Sequence, residues 1–168
     1  MKNLNELKVV SIRLVEEPPL YSRKTIKNVS DVLDVVGEEL RKYDRELFCI
    51  LNLRTQNQVI NLNIVSMGTL SSSLVHPREV FKSAILSNAA GIMLIHNHPS
   101  GNCLPSKVDM EITKKLEDAG AFLDIPVVDH IIIAEDEEVY SFYENNMLTR
   151  NQKGMCVADN PQIYGKSR

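Results

Sequence analysis

Two histidines separated by one residue, His96 and His98, end an apolar run of this chain. On an extended backbone, residues i and i+2 point to the same side, so the two imidazoles are predicted to project together from a strand end. A turn containing prolines and a glycine then reverses the chain, and Ser106 begins a helix with Asp109 in its first turn. We therefore expect the carboxylate of Asp109 to face the loop that carries both histidines.

The spacing of the serine and the aspartate is also that of a capping box, in which both residues only stabilise the start of a helix. Asp109, however, lies on the same side of the predicted helix as Ile112 and Leu116. A carboxylate beside the core-facing apolar residues of a helix needs a cation to balance its charge. Two imidazoles and one carboxylate, with one position left for water, are the ligand set of a catalytic zinc site. The sequence thus predicts zinc bound by His96, His98 and Asp109.

The composition limits the class of protein. The chain has 168 residues, of which 43% are hydrophobic and 24% are charged, as expected for one soluble globular domain with short extensions. Its formal charge of -3 and pI near 5.8 are opposite to the charge of a general nucleic-acid binder. A local basic cluster, YSRKTIK near residue 21, is the exception.

Cysteine usage and hydropathy indicate a compartment. Cys49, Cys103 and Cys156 are odd in number and lack the spacing of a disulfide framework. The N-terminal residues MKNLNELKVV lack the apolar region of a secretory signal. No apolar run approaches the roughly 18 residues that a membrane span needs. We expect a protein of the reducing cytoplasm without membrane association.

Strands and helices alternate along the predicted domain. Periodicity and turn residues predict an edge strand at 8–15, a helix after residue 30, a central strand at 45–53, a second hairpin strand at 59–67, a helix from residue 76, a short buried strand at 92–95, a helix from residue 106, and strands at 125–134 and 139–143. Ser30 is expected to cap the first helix, and Pro77 and Gly91 to mark the two ends of the second. The pattern predicts an α/β or α+β fold with a mixed sheet and flanking helices.

Three segments are predicted along the chain. Residues 1–24 form an N-terminal extension that includes the edge strand, residues 25–143 form the domain, and residues 144–168 form a polar, aperiodic tail. An exposed edge strand offers unpaired backbone groups to a partner. A homo-oligomer joined through residues 8–15 is therefore one expectation for this chain.

The segment HNHPSGNCLPSKVD matches the pattern His-x-His-x7-Ser-x2-Asp, the JAMM signature of JAB/MPN metalloproteases. The flanking text GTLSSSLVHPREVFKSAILSNAAGIMLIHNHPSG and the later LDIPVVDHIII are similar to the bacterial RadC family. The resemblance covers roughly residues 25–143. It implies a cytidine-deaminase-like α/β fold, with zinc held by His96, His98 and Asp109 and a water molecule as the fourth ligand.

The resemblance also supplies a general base. It places a glutamate at the start of the first core strand, which is Glu46 of ELFCIL in this chain. A solvated strand end would explain the same residue, and Glu79 competes for the role, although the dipole of its helix already accounts for that carboxylate. We expect Glu46 to take the proton of the attacking water. By the same resemblance Ser106, besides capping its helix, donates a hydrogen bond to the oxyanion.

Other residues point less directly to chemistry. Cys103 lies in the site loop, where a thiolate could compete for zinc, although a lone cysteine in a turn is more often a small structural residue. His76 and His130 are expected to make structural hydrogen bonds. The resemblance places Asp129 and His130 in the family pattern, where the pair could hydrogen-bond to a metal ligand and orient it.

Two other metal-dependent classes are excluded. An HNH nuclease uses three separated residues of a ββα hairpin, whereas the histidines and asparagine here are contiguous. A base deaminase needs His-x-Glu and Pro-Cys-x-x-Cys, and the sequence contains neither.

Three hypotheses about function remain. The first is a zinc-dependent peptidase or isopeptidase that acts on an unknown protein or peptide. The second is an accessory protein of DNA repair or recombination, but the acidic pI argues against it, and residues 1–25 lack the helix-hairpin-helix module that begins longer RadC-like proteins. The third is a noncatalytic interaction module stabilised by zinc. Glu46 and Ser106 argue against the third, because a structural site needs neither.

Overall fold

The computed structural model of this protein describes residues 14, 25–40, 43–68, 75–134 and 138–149. The elements are α1 (Val29–Val32), a π-helical segment (Leu33–Gly37), α2 (Glu38–Leu40), β1 (Leu47–Leu53), β2 (Val59–Met67), α3 (Pro77–Leu86), β3 (Gly91–His98), α4 (Lys107–Phe122), β4 (Val127–Ala134) and β5 (Val139–Ser141). The predicted edge strand at 8–15, apart from Leu14, and the tail after residue 149 lie outside these residues. The division into extension, domain and tail stays a prediction. None of the helices in the described ranges is both long enough and apolar enough to span a bilayer.

Five strands form one mixed sheet in the order β2-β1-β3-β4-β5. β1 lies between β2 and β3 and is antiparallel to both, whereas β3 and β4 are parallel. Parallel neighbours need a crossover connection, and α4 provides it. β1 is buried along its whole length, as predicted for a strand that is apolar on both faces. The α/β fold class is confirmed.

Side chains alternate along β1 between two hydrophobic layers. Cys49 and Leu51 belong to the layer that includes the helical residues 29–40. Phe48 and Ile50 belong to the layer that includes residues of α3 and α4. Helices therefore cover both faces of the sheet. The side chain of His96, two residues after Leu94 on β3, lies on the α4 side.

Two helix ends differ from the sequence-based predictions. Asn28, not Ser30, caps α1: its extended backbone precedes the helix, and its side chain accepts a hydrogen bond from the N3 amide. Asparagine and serine cap about equally well, so propensity alone could not choose between them. α3 ends at Leu86 rather than near Gly91, because Asn88 adopts a positive φ of 50° and Gly91 already begins β3.

Two strand ends also differ. β3 continues through both histidines instead of ending at residue 95, because residues as far as His98 pair with β4. β5 ends at Ser141, two residues earlier than predicted, because Phe142 begins a run of turns. As a result, β3 holds both imidazoles on regular strand backbone.

Candidate functional site

The candidate site lies at the carboxyl end of β3, where α4 begins. His96 is completely buried, and His98 is the last residue of the strand. The two Nε2 atoms are 3.0 Å apart. The strand alternation predicted from the His-x-His spacing is therefore what brings the imidazoles together.

Asp109 reaches the histidines from the first turn of α4. Ser106 is the N-cap, and the predicted capping box is present: the Ser106 Oγ accepts from the Asp109 amide at 3.2 Å, and Asp109 Oδ2 accepts from the Ser106 amide at 2.7 Å. The carboxylate is nevertheless buried. Its Oδ1 lies 3.4 Å from His96 Nε2, and its Oδ2 lies 3.6 Å from His98 Nε2.

These donors fit a small divalent cation. His96, His98 and Asp109 each offer one ligand atom, and the three atoms lie within 4.8 Å of one another. Zinc bonds of about 2.0–2.2 Å at tetrahedral angles separate ligand atoms by about 3.3–3.6 Å. The Nε2–Nε2 distance of 3.0 Å, and the distances of 3.4 Å from His96 Nε2 to Oδ1 and 3.6 Å from His98 Nε2 to Oδ2 of Asp109, are close to that range. Nitrogen and carboxylate oxygen are also donors that zinc accepts.

The charges of the cluster favour a bound cation. Burial, together with the neighbouring His130, lowers the pKa of His96 well below its ordinary value. A hydrogen bond to Asp109 raises the pKa of His98 against the opposing effect of burial. Burial acts to raise the pKa of Asp109, but hydrogen bonds from His98 and Ser106 act in the opposite direction, and that pKa lies well below its usual value. A bound metal ion would neutralise this buried carboxylate.

An open cleft of about 300 Å³ adjoins these ligands. Its lining consists of Glu46, His98, Ser100, Asn102, Leu104, Ser106, Val108 and Asp109. The structure thus places Glu46 and Ser106, the predicted base and oxyanion donor, in the same cleft as two of the ligands. The negative charge of Glu46 also contributes to the raised pKa of His98.

The competing carboxylate, Glu79, is not in this cleft. It lies in the first turn of α3 and pairs with Lys82 and Arg78 on the protein surface. Its place in the first turn agrees with the helix-dipole prediction, and the two cationic side chains also balance its charge. Glu79 therefore has no geometric support as the base.

Asn97 fixes the backbone on both sides of Glu46. It lies between the two histidines, so its side chain points to the opposite face of β3. Its Oδ1 accepts from the Leu47 amide at 2.7 Å, and its Nδ2 donates to the Arg45 carbonyl at 3.1 Å. The Glu46 carbonyl also accepts from the amide of Gly68 at 2.8 Å. The strand that carries the ligands thus also holds the segment that carries the glutamate.

Cys103, His76 and His130, the residues expected to play lesser parts, have different surroundings in the structure. Cys103 Sγ lies 3.9 Å from a Glu138 carboxylate oxygen, and the cysteine is not part of the ligand cluster, so competition for zinc has no geometric support. His76 caps α3 by accepting from the Arg78 amide. His130 does contact a ligand, because its Nε2 lies 2.8 Å from His96 Nδ1.

Sequence reasoning missed two residues at this site. One is Asn97, which it considered only as part of a tripeptide. The other is Thr113, whose hydroxyl lies 2.6 Å from His130 Nδ1. The position of Thr113 one helical turn after Asp109, next to the core-facing Ile112, was the available signal.

Comparisons with known proteins agree with this arrangement. Residues 26–147 match a family model described as RadC-like JAB domain. Relatives named UPF0758 protein include one from Desulfitobacterium hafniense, 45% identical over 127 residues, and one from Moorella thermoacetica, 48% identical over 127 residues. These alignments cover 76% of this chain and 56% and 55% of the relatives, respectively.

A third relative, from Chlorobium chlorochromatii, is 39% identical over 145 residues, which are 84% of this chain and 65% of that protein. The chain spans less than two thirds of the length of each of the three. The match to the family model covers most of the chain, and the five-stranded mixed sheet with flanking helices agrees with a JAB/MPN α/β fold. The chain belongs to the RadC-like JAB domain family.

Proposed function

We propose that this chain is a zinc-dependent hydrolase of amide bonds, a peptidase or isopeptidase that acts on a protein or peptide in the cytoplasm. The observation that carries the proposal is the convergence of two imidazole nitrogens and a buried carboxylate beside a cleft that also contains Glu46. His96, His98 and Asp109 would hold the ion. When bound, zinc lowers the pKa of a coordinated water to about 7 and polarises a carbonyl group.

Glu46 would move the proton. Glu46 lines the cleft together with His98, and its backbone is fixed from two sides by Asn97 and Gly68. In this role it accepts a proton as water adds to the substrate carbonyl, and it delivers that proton to the leaving amine as the C–N bond breaks. A fixed backbone favours such a transfer, because a base must stay within hydrogen-bond reach of the proton.

Ser106 would stabilise the oxyanion. Its hydroxyl oxygen accepts a hydrogen bond from the Asp109 amide in the helix cap, so the hydroxyl proton stays available for donation. The residue is exposed to the cleft. Loss of one such donor typically raises a barrier by about 2.7–4 kcal/mol.

The cleft suits a polypeptide better than a nucleic acid. Its lining contains the carboxylates of Glu46 and Asp109, and no lysine or arginine among the residues that the structure describes. Carboxylates repel phosphates, whereas Leu104, 61% exposed, offers apolar surface to a side chain next to the scissile bond. The basic YSRKTIK segment lies largely outside the described ranges.

The test uses Glu46→Gln with Glu79→Gln as the matched control. The zinc-loaded chain and both variants are incubated with a peptide library from digested cytoplasmic protein whose amines are blocked, and with isopeptide-linked conjugates. Newly formed amines are then labelled and identified by mass spectrometry.

We expect Glu46→Gln to bind about one zinc per chain, as the native chain does. We expect its turnover to fall by about 100-fold or more, as for loss of a general base. Glu79→Gln should retain full turnover.

Two results would contradict the proposal. Undiminished hydrolysis by Glu46→Gln would remove the glutamate from the role. A native chain that holds zinc but releases no amine from any substrate would favour the noncatalytic, zinc-stabilised module.

A further inference from the structure

We propose that Thr113 and His130 form a hydrogen-bonded relay that keeps the proton of His96 on Nδ1, so that the Nε2 lone pair always faces the ligand cluster. The inference deepens the proposed metal site and rests on it. Its basis is a chain of three contacts: Thr113 Oγ1 to the Asp109 carbonyl at 2.6 Å, Thr113 Oγ1 to His130 Nδ1 at 2.6 Å, and His130 Nε2 to His96 Nδ1 at 2.8 Å.

The direction of the relay is set at Thr113. The Asp109 carbonyl can only accept, so the threonine hydroxyl must donate its single proton to it. This bond to the carbonyl one helical turn earlier is a common one for threonine in a helix. The hydroxyl oxygen can then only accept from His130. His130 therefore carries a proton on Nδ1.

The next step follows from burial. His130 is completely buried, and a second proton would place an imidazolium out of contact with water. A neutral ring with its proton on Nδ1 has a lone pair on Nε2, and that nitrogen faces His96. His96 must therefore donate from Nδ1. Its Nε2 is left unprotonated, which is the state that a metal ligand requires.

Aromatic side chains hold the two relay rings in place. Phe48 stacks on His96 with ring centroids 5.9 Å apart and an interplanar angle of 19°. Phe142 stacks on His130 at 4.7 Å and 18°. The rings are therefore restrained from turning, and the hydrogen bonds, rather than ring flips, decide which nitrogen faces the cluster.

The second imidazole ligand is fixed by a different route. His98 Nδ1 lies 2.7 Å from the backbone carbonyl of Asn102, which can only accept. His98 thus also carries a proton on Nδ1 and presents Nε2. His98 is oriented by the loop that contains Asn102, whereas His96 is oriented by the relay through β4 and α4. The two orientations can therefore be tested separately.

The variants are Thr113→Val, which keeps the shape but removes the hydroxyl, Thr113→Ser, which restores it, and Ser83→Ala, which removes a buried hydroxyl on α3. Zinc affinity is measured by competition with a chelator. We expect Thr113→Val to lose about 10–100-fold in affinity, the usual effect of removing a partner behind a ligand. Thr113→Ser and Ser83→Ala should stay close to the native chain.

Equal zinc affinity of Thr113→Val and the native chain would overturn the relay. So would an equal loss in Ser83→Ala, because the effect would then be a general loss of stability.

A second readout does not depend on zinc. The chain has four histidines, so ¹⁵N NMR of the imidazole nitrogens can be assigned residue by residue. In the metal-free native chain we expect a protonated Nδ1 and an unprotonated Nε2 on His96, and a loss of this preference in Thr113→Val. A proton on Nε2 of native His96 would overturn the relay. If the native chain failed to bind zinc, the proposed function would fall, while this spectrum would still decide the relay.

Discussion

Asp109 makes two sets of contacts, one expected of a helix cap and one expected of a metal ligand. Its Oδ2 closes the capping box with the Ser106 amide, and both of its oxygens face histidine Nε2 atoms. The capping box explains where α4 begins. It does not explain why a carboxylate at a helix start is buried beside two imidazoles, and a cation does explain this.

Asp109→Asn separates the two sets of contacts. Asparagine is a good partner for the Ser106 amide, but it lacks the negative charge that a metal ligand supplies here. We expect zinc affinity to fall by more than the about 10–100-fold that is typical of residues behind a ligand. Helix content by circular dichroism should be retained. Native zinc affinity in this variant would show that the carboxylate is only a helix cap.

The clustering of residues that lie close together in the sequence was predictable. His96, His98 and Asp109 lie within one strand end, one turn and one helix start, and their geometry follows from the two backbone periodicities. Thr113, on α4, is connected to His96 only through His130, which lies on β4. That contact depends on how α4 packs on β4, and the sequence pattern does not determine such packing.

At the scale of elements, β3 is the organising strand. It presents its histidines towards α4 and Asn97 towards the backbone of residues 45–47. Its antiparallel pairing with β1 places Phe48 opposite His96. The two histidines on β3 and Glu46, the residue before β1, are therefore carried by one pair of neighbouring strands. The strands and helices themselves were predictable from periodicity, but their ends depended on a cap choice at Asn28 and a positive φ at Asn88.

Asn97→Ala tests this connection. The variant leaves the buried Leu47 amide without its partner, which costs about 1–3 kcal/mol in the free energy of unfolding. We expect turnover to fall because Glu46 is no longer held, while zinc affinity changes much less. Denaturant titration, chelator competition and hydrolysis are compared with Asn61→Ala, which removes hydrogen bonds between β2 and the residues Asn52 and Ser87. Equal turnover in the two variants would contradict the role of Asn97.

At the scale of the whole molecule, the alternation of strands and helices indicated the α/β class. The strand order could not be derived in the same way, because β3 pairs with one strand from the hairpin and one from the end of the domain. Asp129 joins these distant parts. Its carboxylate accepts from the His130 amide, the Ser141 hydroxyl and the Tyr143 amide, and so ties β4 to the turns after β5.

Asp129 gives the fold a pH dependence of defined sign. Burial raises its pKa from 3.8 to about 6, against the opposing effect of its hydrogen bonds. The folded state therefore binds this proton more tightly than the unfolded state. The resulting stabilisation is fully present below about pH 4 and is lost as the pH rises through about 6, a change of about 3 kcal/mol.

Asp129→Asn should lack this dependence. Urea titrations from pH 4 to pH 7 should show the native chain losing stability relative to the variant by about that amount. A difference between the two chains that stayed constant across this range would contradict the raised pKa.

The proposed hydrolase needs two imidazoles and one carboxylate to bind a single zinc ion. X-ray absorption at the zinc edge of the purified, zinc-loaded chain tests it most directly. We predict about one zinc per chain, with nitrogen and oxygen ligands at about 2.0–2.2 Å and the outer scattering of imidazole rings. A sulfur ligand at about 2.3 Å, or a chain that retains no zinc, would contradict the account.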